Sequence, residues 1–135
     1  MPDTQKIFAL RLHPGNDLKK SLAKFVAEQN IRAGYVITAI GSLSVCNLRY
    51  AGQAEGVSIE SKFEILALSG TLSINGLHLH IALADETAKA IGGHLLDGNI
   101  IYTTAEIVIG EAEHLLFNRK PDSETGYTEL VVENR

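Results

Sequence analysis

A chain of 135 residues, 45% apolar and 21% charged, is long enough to bury its own core as one domain over residues 1–135 and too apolar for a disordered segment. Its net charge of −4, with twelve Lys and Arg scattered along the sequence, gives no basic footprint for the phosphates of DNA or RNA. One cysteine, Cys46, excludes an intramolecular disulfide framework; the start MPDTQK lacks the basic and apolar regions of a secretory signal, and no apolar run approaches a membrane span, so a cytoplasmic protein is expected.

The first strand is predicted over Lys6–Leu12, with Phe8, Leu10 and Leu12 on one face, and His13-Pro14-Gly15 stops it. Asn16 is the expected cap of the next helix, with Asp17 in its first turn. Leu18, Leu22, Phe25 and Val26 form one stripe while Lys19, Lys20, Lys24 and Glu28 face water, the pattern of an amphipathic helix laid on a sheet. Gly34–Ile40 reads as a strand buried on both faces because it is almost continuously apolar. Gly41-Ser42 breaks or bulges it before LSVCNLRY, which sets Leu43, Val45, Asn47 and Arg49 against Ser44, Cys46, Leu48 and Tyr50. Cys46 has no base beside it in sequence and reads as an inert packing thiol.

After a loop over Ala51–Ser58, a strand over Ile59–Thr71 places Phe63, Ile65 and Ala67 on one face and Glu64, Leu66 and Leu68 on the other, with a bulge or bend at Gly70. Asn75-Gly76 is a two-residue hairpin signal leading into GLHLHIALADETAKAIGGH. His78 and His80 leave one face of that strand and Leu77, Leu79 and Ile81 the other. A turn at Asp85-Glu86 folds the next segment back, where Gly92-Gly93 permits the close approach that delivers His94. Three imidazoles meeting from two strands hold a divalent metal and leave its fourth position open. A histidine in a strand also has a simpler use, half-buried and hydrogen-bonded, and the spacing alone does not separate the two.

Asp97-Gly98-Asn99 turns into a strand over Ile100–Ile109, whose Glu106 is a candidate to hydrogen-bond a metal-holding imidazole or to carry a proton if it shares the histidine face. HLLF continues as a strand rather than a helix, KPDSETG is a loop, and Tyr127–Val132 closes the chain as a last strand. The order strand, helix, then many antiparallel strands defines an α+β fold: a compact, mainly antiparallel sheet with one principal amphipathic helix.

Taken together, RLHPGNDL, GYVITAIGSLSVCNLRY, FEILALSGTL, HLHIALAD, GGHLLDGNIIYTTAEIVI and RKPDSETGYTEL resemble the plants-and-prokaryotes-conserved domain, PPC or PCC. The resemblance is to its free-standing bacterial and archaeal form, also labelled PD1-like DNA-binding proteins. It implies a homotrimer, in keeping with strands that carry more apolar surface than one helix can cover. It also implies a metal ion, zinc first, near the subunit boundary, with His78 and His80 matching the family's HLH pair and His94 the histidine of GGHL. In plants the related domain follows AT-hook motifs that bind A·T-rich minor groove, and its FEIL-type segment takes part in protein association. No AT-hook occurs in this sequence.

Three functions follow as alternatives. One is an oligomeric binding or regulatory protein that holds a metal or a small ligand. Another is a zinc-dependent enzyme in which three histidines hold the ion and Glu64 or Glu106 carries a proton. The third is direct DNA binding, which the acidic balance opposes. Arg11, Arg49 and Arg119 either line an anion pocket or are three separate surface residues.

Overall fold

Runs of alternating β-branched and polar residues build eight strands around one helix in the computed structural model, which describes residues 3–135; Met1 and Pro2 of the MPDTQK start lie outside the described residues. The elements are β1 (Gln5–Leu12), α1 (Leu18–Gln29), β2 (Gly34–Arg49), β3 (Val57–Ser73), β4 (Gly76–Ala84), β5 (Ala90–Leu95), β6 (Ile100–Ala112), β7 (Leu115–Pro121) and β8 (Thr128–Asn134). Strands β1 to β6 form one antiparallel sheet in the order β1-β6-β2-β3-β4-β5. Strand β5 also pairs with β2, through Leu48↔Leu95 and Arg49↔His94, so β2, β3, β4 and β5 close into a ring. The α+β architecture with one helix is the one that the sequence pattern predicts, and among the described residues no helix is long and apolar enough to cross a membrane.

The helix cap falls one residue later than predicted. Asp17 is the cap, accepting a hydrogen bond from Lys20 N at 3.1 Å, while the Asn16 side chain is already engaged by His13 N at 2.8 Å in the preceding turn. The second Asp17 oxygen accepts from Gly98 N at 2.7 Å, which ties the helix start to the turn before β6. At the other end Asn30 adopts the left-handed conformation, φ 52°, and its N–H closes on the last carbonyls. Leu18, Leu22 and Val26 are fully buried against the inner side of the sheet, each contributing about 2 kcal/mol. Phe25 is half-buried and meets Phe8 of β1 edge-to-face at 5.6 Å.

Four strand readings are corrected, three of them by bulges or turns. Strand β2 is not buried on both faces: Ile37 and Ile40 are 48% and 63% exposed, because a single helix covers only the inner side. A bulge between Leu43 and Val45 inverts the alternation, so Leu43, Cys46 and Leu48 point inward while Asn47 and Arg49 lie on the outer row. The bulge in β3 falls between Ile65 and Ala67 rather than at Gly70; beyond it Leu68 is buried in place of Ala67, and Leu66 is left exposed. The β3–β4 hairpin turns on Ile74-Asn75, one residue earlier than predicted, because Gly76 is the residue with positive φ and already pairs with Ser73.

Asn99 is wholly buried and joins three elements. Its amide donates to the carbonyls of Asn47 and Leu96, and its oxygen accepts from Asn47 N at 2.9 Å. This clamp lets β5 and β6 follow one another along the same edge of β2. The β7–β8 hairpin forms a second small sheet, and it docks through Phe117, whose N–H donates to Arg32 O and whose carbonyl accepts from Ser73 Oγ. Cys46 is buried, and burial pushes its thiol pKa up, which suits the packing role read from sequence.

Candidate metal centre

Alternation on β4 sends Leu79, Ile81 and Leu83 into the core and leaves His78 and His80 on the outer face. The Asp85–Lys89 turn then returns the chain: one Asp85 oxygen accepts from Thr87 N, Thr87 Oγ1 and Lys89 N. Strand β5 pairs back so that His94 stands directly across from His80. Both glycines before it are required. A Cβ on Gly92 would meet Ile81 O at 2.8 Å, and one on Gly93 would meet Arg49 O at 2.7 Å, so side chains there would push β5 away from β4 and β2.

The result is one row across the ring, Arg49 on β2, His94 on β5, His80 on β4 and Ser69 on β3, with His78 and Thr71 paired beside it. The ligand nitrogens of His78, His80 and His94 all lie within 4.8 Å of one another, and His80 Nε2 is 3.2 Å from His94 Nδ1. In a tetrahedral site with metal–nitrogen bonds of about 2.0–2.1 Å, ligand nitrogens stand roughly 3.4 Å apart. One pair is already near that separation, and the widest needs to close by at most about 1.4 Å, within reach of side-chain rotations. The cluster sits at the surface, with His78 and His80 exposed and His94 half-buried. It is a three-histidine set able to chelate a metal ion.

Electrostatics favour the metal-ready form. Desolvation first, then the charges of His80, Arg119 and Arg49, hold the His78 pKa below its usual value, with Glu129 opposing. For His94 the order is desolvation, then Arg49, His80 and His78. Neutral imidazoles keep a lone pair for a metal at neutral pH.

Beside the cluster lies an open cleft of about 730 Å³, lined among others by Arg49, His78, His94, Arg119, Tyr127 and Glu129. Two of the three arginines singled out in the sequence thus meet here. Arg11 does not: it is on β1, paired in register with Glu106, and its Nε donates to Thr104. Neither candidate carboxylate belongs to the site. Glu64 pairs with Ala84, four residues along β4 from His80 and roughly 13 Å away, and Glu106 lies on β6 between Ile40 and Arg11. The carboxylate that lines the cleft is Glu129 of β8, which sequence spacing gave no reason to select, because only the docking of the terminal hairpin brings it near the histidines.

The sequence profile of the Plants and Prokaryotes Conserved (PCC) domain matches residues 1–113. The chain is 48% identical over 128 residues to the bifunctional protein GlmU of Synechococcus sp. (strain JA-3-3Ab), a match that takes in 95% of this chain and 21% of that protein. The chain therefore spans about a fifth of the length of the curated relatives it matches. Among solved structures, a hypothetical protein from Salmonella cholerae-suis superposes with a TM-score of 0.97 at 40% identity, covering 100% of this chain and 98% of that one. A metal-containing protein from Archaeoglobus fulgidus superposes with a TM-score of 0.79 at 29% identity, covering 93% of each chain. Strand order, histidine-bearing hairpin and sequence match lead to one assignment: the chain belongs to the Plants and Prokaryotes Conserved (PCC) domain family.

Proposed function

We propose that residues 1–135 act as one domain of a homotrimeric cytoplasmic binding or regulatory protein that holds one divalent transition metal per chain on His78, His80 and His94. The observation that carries this reading is the convergence of three imidazole nitrogens within 4.8 Å on an accessible face. Zinc is the first candidate, since imidazole suits it and no thiolate stands near. The relative from Archaeoglobus fulgidus, described as metal-containing, supports the metal. Support for the trimer comes from Ile37 and Ile40 on β2 and Leu66 on β3, large apolar side chains left in water by the single chain.

A second reading, a zinc-dependent enzyme of unknown substrate, draws on the cleft that opens beside the histidines. A bound metal there supplies Lewis acidity. The chain's own part is to orient a ligand through Arg49 and Arg119 and to place Glu129 as a carboxylate able to take or give a proton at the cleft wall. Duplex binding is the least supported alternative, since the net charge is −4 and the two arginines of the site sit beside histidines rather than along an open face.

One preparation tests the proposal. Wild-type protein reconstituted with zinc and freed of excess should keep close to one ion per chain, and the His78→Ala, His80→Ala, His94→Ala triple variant should keep essentially none. Light scattering on the same sample should give about three times the 14.6 kDa chain mass. Loss of zinc from the wild type, or equal retention in the triple variant, returns the histidines to a surface role; a concentration-independent monomer mass removes the trimer.

A further inference from the structure

We infer that the cleft beside the histidines binds a small organic oxyanion, its carboxylate or phosphate taken by Arg49 and Arg119 and a second oxygen directed to the metal. The inference deepens the metal reading and rests on it for the second contact only. At about 730 Å³ the cleft is of the size that holds a metabolite-sized ligand. Its two guanidiniums reach it from different elements. Arg49 comes from β2, directly across from His94, and Arg119 comes from β7, where its Nη2 donates to Thr71 Oγ1 at 2.8 Å beside His78.

Both arginines are half-buried, and among the described residues neither has a carboxylate within ion-pair distance. Arg135, by contrast, is paired with Glu111 at 3.0 Å. Among the described residues the Arg49 guanidinium donates only to Gln53 O, at a long 3.3 Å, and the Arg119 guanidinium only to Thr71 Oγ1. Each guanidinium has five N–H donors in a planar fork, so these single contacts orient the groups and leave most donors without a protein acceptor. Partly desolvated cations without partners are costly, and a divalent ion on the neighbouring imidazoles adds to the excess of positive charge. Among the described residues Glu129 is the one carboxylate that lines the cleft, and it cannot balance two guanidiniums and a divalent ion. An anion that spans the arginines and the metal removes the imbalance and uses the bidentate geometry that guanidinium offers to carboxylate and phosphate. A neutral ligand does neither.

Titration calorimetry on zinc-loaded protein decides the matter, with malonate and inorganic phosphate as probes and malonamide as the neutral control. Saturable binding of malonate or phosphate, and none of malonamide, is expected; the tighter of the two tells a carboxylate source from a phosphate source. Arg49→Gln and Arg119→Gln should each weaken that binding about ten- to hundredfold at unchanged zinc content, and Arg49→Lys and Arg119→Lys should recover part of it. Zinc retained without saturable anion binding, or binding indifferent to both Gln variants, overturns the inference while the metal reading stands. Should the wild type retain no zinc, the metal reading fails by itself, and the same titrations on metal-free protein judge the cleft. Anion binding abolished by the Gln variants then upholds the arginine site, and no anion binding overturns it.

Discussion

The outer rows of β4 and β6 look alike in sequence and differ in outcome. Each strand buries one alternating row, Leu79, Ile81 and Leu83 on β4 and Ala105, Ile107 and Ile109 on β6, and each turns chemically able residues outward, His78 and His80 on one and Glu106 on the other. On β4 the outer row meets His94, Arg49 and Arg119, whereas on β6 the neighbours of Glu106 are Ile40 and Arg11. Alternation decides which side chains leave the core. Whether they form a site is decided by the registers of the adjoining strands, and those registers are set by bulges and glycines.

Three perturbations probe that difference. The largest effect is expected where β3 meets β4. Gly70 has φ 145°, and a Cβ on it would run into the carbonyl of His78, so Gly70→Ala should cost on the order of 3 kcal/mol in urea unfolding and weaken zinc retention as His78 shifts. A change under about 0.5 kcal/mol would show that the β3–β4 register is not held this tightly.

Acidification should have a smaller, graded effect confined to the β4–β5 side. The folded pKa values of His78 and His94 are depressed, so the unfolded chain takes up protons first as pH falls below about 6.5. The metal-free protein therefore keeps this contribution above that pH and loses a modest amount of stability below it. Zinc should be released over the same acid range, with a midpoint below about pH 6.5; a midpoint above it would contradict the depressed pKa values. Smallest of all is Glu106→Gln on β6, for which unfolding should move by no more than about 0.5 kcal/mol and zinc content should not move at all. A marked loss of zinc would place β6 in the site after all.

The histidine hairpin was legible because its information is local. HLH fixes two imidazoles on one face, and the Asp85 turn with Gly92-Gly93 returns the third within a few residues. The arginines were visible as residue types but not as a set, since Arg49 reaches the outer row only through the bulge after Leu43, and Arg119 reaches the cleft only when β7 docks. Glu129 had no signal at all. The same one-residue effects account for the misassigned cap at Asn16, the phase of Ala67 and Leu68, and the exposure of Ile37 and Ile40: a period of two has no memory of an inserted residue, and one helix cannot shield two faces of a sheet.

The terminal hairpin is joined to the main sheet by a few specific bonds, Phe117 to Arg32 and Ser73 and Arg119 to Thr71. It begins at Leu115, beyond the segment that matches the family profile. The three histidines and Arg49 lie inside that segment, and Arg119, Tyr127 and Glu129 lie outside it. One wall of the cleft thus stands outside the part of the chain that the family profile describes. A different hairpin grafted after residue 113 should leave the three imidazoles where β4 and β5 hold them and change only the groups on that wall.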